Sequence, residues 1–372
     1  MRNIFSSPWG LILVGALIGI IGSLLQKMGN PPNMGICTAC FLRDIAGAVG
    51  LHRAAVVQYI RPEISGFVLG SLIAAMILGE FMPRGGSAPL IRFFLGFCAM
   101  IGSLVFLGCT WRLFFHIGGG DLNGIVGLVG MLVGIGIGSI FIKRGFSLGL
   151  PKPTPYISAM IMPVLMALLL LLVIFKVSFG EGGAIFTSAK GPGEKSAHLF
   201  ISLIAGLVIG GLGQRTKICT VGAFRMMFID KAWPMLLAIV ALTIGALVTN
   251  LSFKQFNMGI GGMPIAHSNH LWNFLGMVLA GLASCLARGC PGRQLILAGE
   301  GDSDATMFIL GMVVSAGFAH NWFLAAVPDK IVESELIVQG PGPYGMIAVV
   351  VGLLFCVIVG LTAREKVSLK AQ

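Results

Sequence analysis

Residues 157–177 read ISAMIMPVLMALLLLLVIFKV, and no charge interrupts the run before Lys176. About 20 such residues make roughly 30 Å of helix, the thickness of a bilayer's hydrocarbon core. A helix in lipid satisfies its own backbone hydrogen bonds, so this segment reads as a membrane span. The whole chain agrees with it: 56% of the 372 residues are hydrophobic and 10% are charged, with a mean hydropathy of +0.95. In an ordinary soluble domain about a quarter of the residues are charged.

Working outward, a window of span length finds ten candidates. In the first half they are Trp9–Gln26, Ile64–Phe81, Ile91–Leu107, Gly124–Ile142 and Tyr156–Val177. In the second they are His198–Gln214, Trp233–Leu251, Leu271–Ala287, Ala305–Ala325 and Tyr344–Leu361. The stretches Cys37–Ile60 and Ile218–Ile229 are too short or polar to span and read as re-entrant or interfacial helices. The N-terminus runs into the first span without a cleavage site and reads as uncleaved. With ten spans both ends share one side, which collects Arg2, Arg84, Arg92, Lys143, Arg144, Lys152, Arg215, Lys217, Lys231, Arg288, Arg364, Lys366 and Lys370. The other side carries Glu181, Glu194, Glu333 and Glu335, so the positive-inside rule places both termini in the cytoplasm.

Two motifs recur. Ile36-Cys37-Thr38 with Arg43 returns as Ile218-Cys219-Thr220 with Arg225, 182 residues later. Gly108-Cys109-x-x-Arg112, then Gly118-x-Gly120-Asp121, returns 181 residues later as Gly289-Cys290-x-x-Arg293, then Gly299-x-Gly301-Asp302. Phe94-Leu95-Gly96 and Phe274-Leu275-Gly276 precede them. Two motifs in one order at nearly the same offset indicate duplication: a repeat over 1–177, a Gly- and Lys-containing linker over 178–197, and a repeat over 198–372. Five spans per repeat is an odd number, so the second copy inserts upside down. Such inverted repeats place a solute site near the midplane. The expected fold is therefore an all-α integral membrane protein of two inverted five-span repeats, with short re-entrant helices meeting at a central constriction.

The repeated elements favour a small anion. The 54 glycines allow close helix packing or helix breaks, and a helix that starts at a break offers a partly positive end. Arg43, Arg112, Arg225 and Arg293 either attract an anion or pair structurally, with Asp121 and Asp302 the partners expected for Arg112 and Arg293. Cys37, Cys109, Cys219 and Cys290 are candidates for the substrate path, since a thiol is a polarisable, weakly donating group suited to a solute with exposed sulfur or selenium. Cys98, Cys285 and Cys356 read as core residues, and His116, His267, His270 and His320 as loop or packing residues. The eight cysteines lie mostly in apolar segments and read as free thiols. Cys37 and Cys40 form Cys-x-x-Cys, which raises the alternative of a membrane thiol–disulfide oxidoreductase, although Gly222 stands where the second copy would need its thiol. No compact Cys/His cluster calls for a metal, no nucleotide-binding motif calls for ATP, and no cofactor is expected. The net charge of +11 is spread among loops, which excludes a nucleic-acid arm.

Gly108-Cys109-Thr110 with its glycine-rich turn, and the twin at Gly289-Cys290-Pro291, resemble the repeated signature of the YeeE/YedE family of sulfur-transport membrane proteins. The resemblance covers essentially the whole chain, and its length and Cys37-x-x-Cys40 look most like the YedE branch, described as selenium transporters. It implies an hourglass-shaped permease of the bacterial inner membrane that relays thiosulfate or a selenium species past Cys37, Cys109, Cys219 and Cys290. It also implies a small cytoplasmic sulfur carrier of the TusA type as partner. The chain departs from the thiosulfate members' Gly-Cys-Thr-Ser-Gly-His pattern at Trp111 and Arg112, and Pro291 replaces the threonine in the second copy.

Overall fold

Proline opens the spans. A ring at the first helical turn loses no hydrogen bond there and presets the helical φ, and Pro8, Pro62, Pro89, Pro234 and Pro343 occupy that position in five long helices. A computed structural model describes residue 5, residues 7–175 and residues 185–364. In chain order its helices are α1 (Pro8–Lys27), α2 (Thr38–Ala48), α3 (Pro62–Ile77), α4 (Pro89–Phe106), α5 (Arg112–Gly119), α6 (Asn123–Lys143) and α7 (Tyr156–Ile174). The second half adds α8 (Leu199–Thr216), α9 (Thr220–Asp230), α10 (Pro234–Ser252), α11 (His270–Leu286), α12 (Pro291–Gly299), α13 (Ser303–Asn321) and α14 (Pro343–Thr362).

The chain is a predominantly helical, multi-pass membrane protein, with two short two-stranded sheets in its connections. Among the described residues nine helical stretches are long and apolar enough to cross a bilayer. The expected span at Ile64–Phe81 is instead α3, whose 16 residues reach about 24 Å at 1.5 Å per residue. Its C-terminal end turns early because Glu80 is drawn to Arg215 and Lys217 at the end of α8. The expected short helices within Cys37–Ile60 and Ile218–Ile229 are α2 and α9. Two more, α5 and α12, grow from the glycine motifs. Arg2, Lys176, Glu181, Lys366 and Lys370, and residues 178–184 of the expected linker, lie outside the described residues.

Long helices pair across the halves: α1 packs on α10, α3 on α8, α4 on α13 and α6 on α11. Glycine makes these contacts close. A Cβ on Gly19 would stand 2.0 Å from the Leu242 carbonyl oxygen, and one on Gly210 would stand 2.2 Å from that of Phe67. Small residues are what let helix backbones meet in lipid, where no hydrophobic drive exists between helices.

The connections gather on two faces. On one, Arg61 donates to the carbonyls of Pro192 and Lys195 in the described part of the linker, and Asn257 meets Gly119. This is the linker face. On the other, Arg84 pairs in register with Pro153 beside Lys152, Lys143 donates to the Phe228 carbonyl, and Arg92 reaches that of Ala287. This is the basic face.

Candidate functional site

Three short helices, α2, α9 and α12, begin at a motif cysteine, and α5 begins three residues after one. Helix starts leave amides without partners, and Ser, Thr, Asp or Asn usually cap them. Here sulfur does so. The Cys37 Sγ accepts from the Cys40 amide at 3.3 Å, Cys219 from Gly222 at 3.1 Å, and Cys290 from Arg293 at 3.4 Å. Cys109 accepts from the Arg112 amide and from the Thr38 hydroxyl, the latter at 3.3 Å. Four sulfurs thus sit at the partly positive ends of α2, α5, α9 and α12.

The breaks that create these starts are matched between halves. Leu107 and Arg288, just before Gly108 and Gly289, both stand at φ +62°, in the left-handed region that side chains other than Gly rarely enter. Gly120 and Gly301 end α5 and α12 at φ +92° and +95°, the conformation that reverses a chain at a helix end. Gly118 and Gly299 are held small instead by contact, one against Ala246 and the other against the Val68 carbonyl.

The cysteines form two pairs at the centre of the molecule. Cys37 touches Cys109, and its Sγ lies 2.8 Å from that of Cys40. Cys219 Sγ accepts from the Cys290 amide at 3.3 Å. Two contacts join the pairs: the Thr110 and Thr220 hydroxyls bond at 2.9 Å, and the Trp111 indole N–H donates to Cys290 Sγ at 3.3 Å. All five cysteines, both threonines and Trp111 are buried. All eight cysteines are free thiols. Cys98, Cys285 and Cys356 pack elsewhere, Cys98 against Cys356 and Cys285 on the Ile135 carbonyl.

The arginines find partners that the sequence spacing does not indicate. Arg112 is fully buried and does not reach Asp121. Its guanidinium donates to the carbonyls of Asn33 and Ile265 at 3.0 and 3.1 Å, to that of Leu107, and to Cys40 Sγ at 3.5 Å. Carbonyl oxygens and the Cys40 sulfur take its N–H groups, and among the described residues no carboxylate forms an ion pair with it. Asp121 is taken by His116 at 2.5 Å and by Asn33 and Asn123. Arg293 binds Glu300 at 3.0 Å, while Asp302 caps α13 and binds Arg84 at 2.9 Å. Arg43 holds the neighbouring Asp44 at 2.7 Å, and Arg225 lies half-buried on α9.

Other polar residues complete the frame, and pairing spacings had not singled them out. Asp44 is shared by Arg43 and Arg61, each at 2.7 Å, so two cations answer one buried carboxylate. The adjacent Arg-Asp in an apolar helix is the signal that would have found it. Beside them a cavity of about 630 Å³ opens on the linker face, lined by Arg43, Arg53, His320 and Leu107. Leu107 is also the residue whose carbonyl meets Cys40 and Arg112. On the basic face Glu300 gathers Arg293, Lys217 and Arg84, and Glu80 gathers Gln214, Arg215 and Lys217. Burial alone would raise the Glu300 carboxyl, but Arg293 and Lys217 outweigh it and hold it below its ordinary value. The Gln214 amide, then Arg215 and Lys217, hold Glu80 low as well. Among the described residues no three His, Cys, Asp or Glu side chains are grouped to hold a metal ion.

Fold and centre together define a class: a multi-pass helical membrane protein in which four short helices, each starting at or just after a cysteine, meet in a buried core. Residues 215–372 match the family model described as "Sulphur transport". That match lies in the second half of the chain and supports the resemblance to the YeeE/YedE family of sulfur-transport membrane proteins. It is also 29% identical over 156 residues to the "Thiosulfate transporter TsuA" of Spirochaeta thermophila, a stretch that covers 39% of this chain and 46% of that protein. The chain thus spans about half the length of the curated relative it matches.

Proposed function

We propose that this protein is a permease for a small sulfur- or selenium-containing oxyanion, with thiosulfate the first solute to test. One observation carries the reading: four helix N-termini converge, three capped by a thiol and the fourth with Cys109 just before it, beside the buried guanidinium of Arg112. Oriented amides and a buried cation attract an anion, and thiols suit its terminal sulfur or selenium. The anion enters by the cavity beside Arg43 and Arg53, meets Cys40 and Cys37, and passes from Cys109 to Cys290. Each cysteine exchanges one hydrogen bond for another, so no bond to sulfur forms or breaks. The name of the Spirochaeta relative and the family match support the sulfur anion. The YedE-like Cys37-x-x-Cys40 supports extending the test to selenium.

The helix pairings also fit a pseudo-two-fold relation: exchanging the halves carries α1 on α10 into α8 on α3, and α4 on α13 into α11 on α6. We read the basic face as cytoplasmic, in a bacterial inner membrane, and as the side where a small TusA-like carrier would collect the product. The test is uptake of labelled thiosulfate and selenite into liposomes holding wild type, Cys109→Ala or Cys290→Ala. Uptake lost in both folded variants establishes the path; uptake retained in both refutes it.

A second reading, a dithiol oxidoreductase, has one observation in its favour, the 2.8 Å approach of Cys37 and Cys40. It requires that Cys40→Ser abolish a thiol–disulfide exchange that wild type performs.

A further inference from the structure

The second residue after each motif cysteine of the longer repeat is Trp111 in one half and Gly292 in the other. These two positions touch. A Cβ built on Gly292 would lie 2.7 Å from the Trp111 ring and 2.8 Å from its nitrogen, so the indole occupies the room that Gly292 leaves. Trp111 belongs to the start of α5, next to Cys109, yet its N–H rests on Cys290 of the other pair. Phe67 meets the ring edge-on at 5.7 Å and closes its outer side. The largest fully buried side chain in the protein therefore stands between the two cysteine pairs. An arrangement built only for packing would not need a bulky residue in one copy and none in the other.

We propose that Trp111 is the plug and size filter of the path: an anion reaches Cys290 from Cys109 only when the indole leaves the Gly292 pocket. This rests on the permease reading and deepens it. The space vacated suits a compact tetrahedral oxyanion and excludes substituted organic thiosulfonates. Rotation also frees Cys290 Sγ from the indole N–H, so the inner thiol becomes available as the plug opens. The pocket at Gly292 and the bulk at Trp111 are one device, and neither works without the other.

The test reads the two thiols directly. Right-side-out vesicles holding the full chain are treated with a membrane-impermeant anionic methanethiosulfonate, and mass spectrometry gives the ratio of Cys290 to Cys109 modification. A closed gate keeps its open state at a few per cent, so Trp111→Ala should raise that ratio about tenfold. Trp111→Phe, which keeps most of the bulk, should stay near wild type. A ratio unchanged in folded Trp111→Ala overturns the proposal. So does an equal rise at both cysteines, which would mean the substitution only loosens the core. Because labelling needs no transported solute, absence of both thiosulfate and selenite uptake by every variant would refute the permease reading while the labelling ratio still decides the role of Trp111.

Discussion

Thr110 and Thr220 join hydroxyls at 2.9 Å, each one residue beyond a motif cysteine and each from a different half of the chain. The bond holds the start of α5 against the start of α9 in a fully buried setting. Thr110→Val removes this bond, a loss of about 1 kcal/mol, while the Thr220 hydroxyl keeps its contact with the Cys290 sulfur; replacing both threonines removes that contact too and costs more. Thermal unfolding in detergent of the single and double variants checks this order, and a double variant as stable as the single would overturn it.

Arg112 makes a separate prediction. Its charge is buried among carbonyls, so Arg112→Gln keeps several hydrogen bonds and removes only the cation. Thiosulfate uptake should fall at least about tenfold, through a raised KM, with the unfolding temperature close to wild type. Arg112→Lys keeps a charge but not the planar fork and should fall between the two. Concentration-dependent uptake separates these outcomes.

Asp44 holds two guanidiniums, and removing its charge strands both. Asp44→Asn should destabilise the protein by about 3–5 kcal/mol, as breaking a buried ion pair does. The linker should loosen with it, because Arg61 also fixes the carbonyls of Pro192 and Lys195. Limited proteolysis at residues 185–197 would report that release before global unfolding.

Glu300 predicts a pH dependence. Its carboxyl titrates below the ordinary 4.5 in the folded protein because Arg293 and Lys217 outweigh its burial. Its stabilising contribution is therefore complete above 4.5, where the unfolded chain is ionised, and is lost as pH falls through the lower folded value. Melting curves between neutral and acidic pH should show wild type losing this increment below 4.5 and Glu300→Gln lacking it throughout. A variant that retains the acid-dependent drop in full would place its origin elsewhere.

Much of the architecture was legible because hydropathy reports spans directly: the run that opens at Ile157 becomes α7, which ends at Ile174, and the interruptions at Cys37 and Cys219 become α2 and α9. The motif spacing also brought four cysteines to notice that do meet in space. Partner choice was not legible. Asp121 follows Arg112 at the same distance as Asp302 follows Arg293, yet neither pair forms. A helix of eight or nine residues carries its aspartate past the turn, where His116 and Arg84 reach it first. Glu300 escaped notice because its partners Lys217 and Arg84 come from distant segments. The contact of Trp111 with Gly292 joins residues far apart in the chain, and a sequence shows only that both positions are unusual.

The glycine seams limit how such a molecule can move. Each half lends helices to the other like the fingers of clasped hands: α1 lies in the grip of α10 and α8 in that of α3. Swinging one half against the other as a rigid rocker would tear backbone contacts at Gly19 and Gly210 that have no slack to give. Motion in this protein is confined to its knuckles, the short helices and the side chains at their starts, while the clasp stays shut.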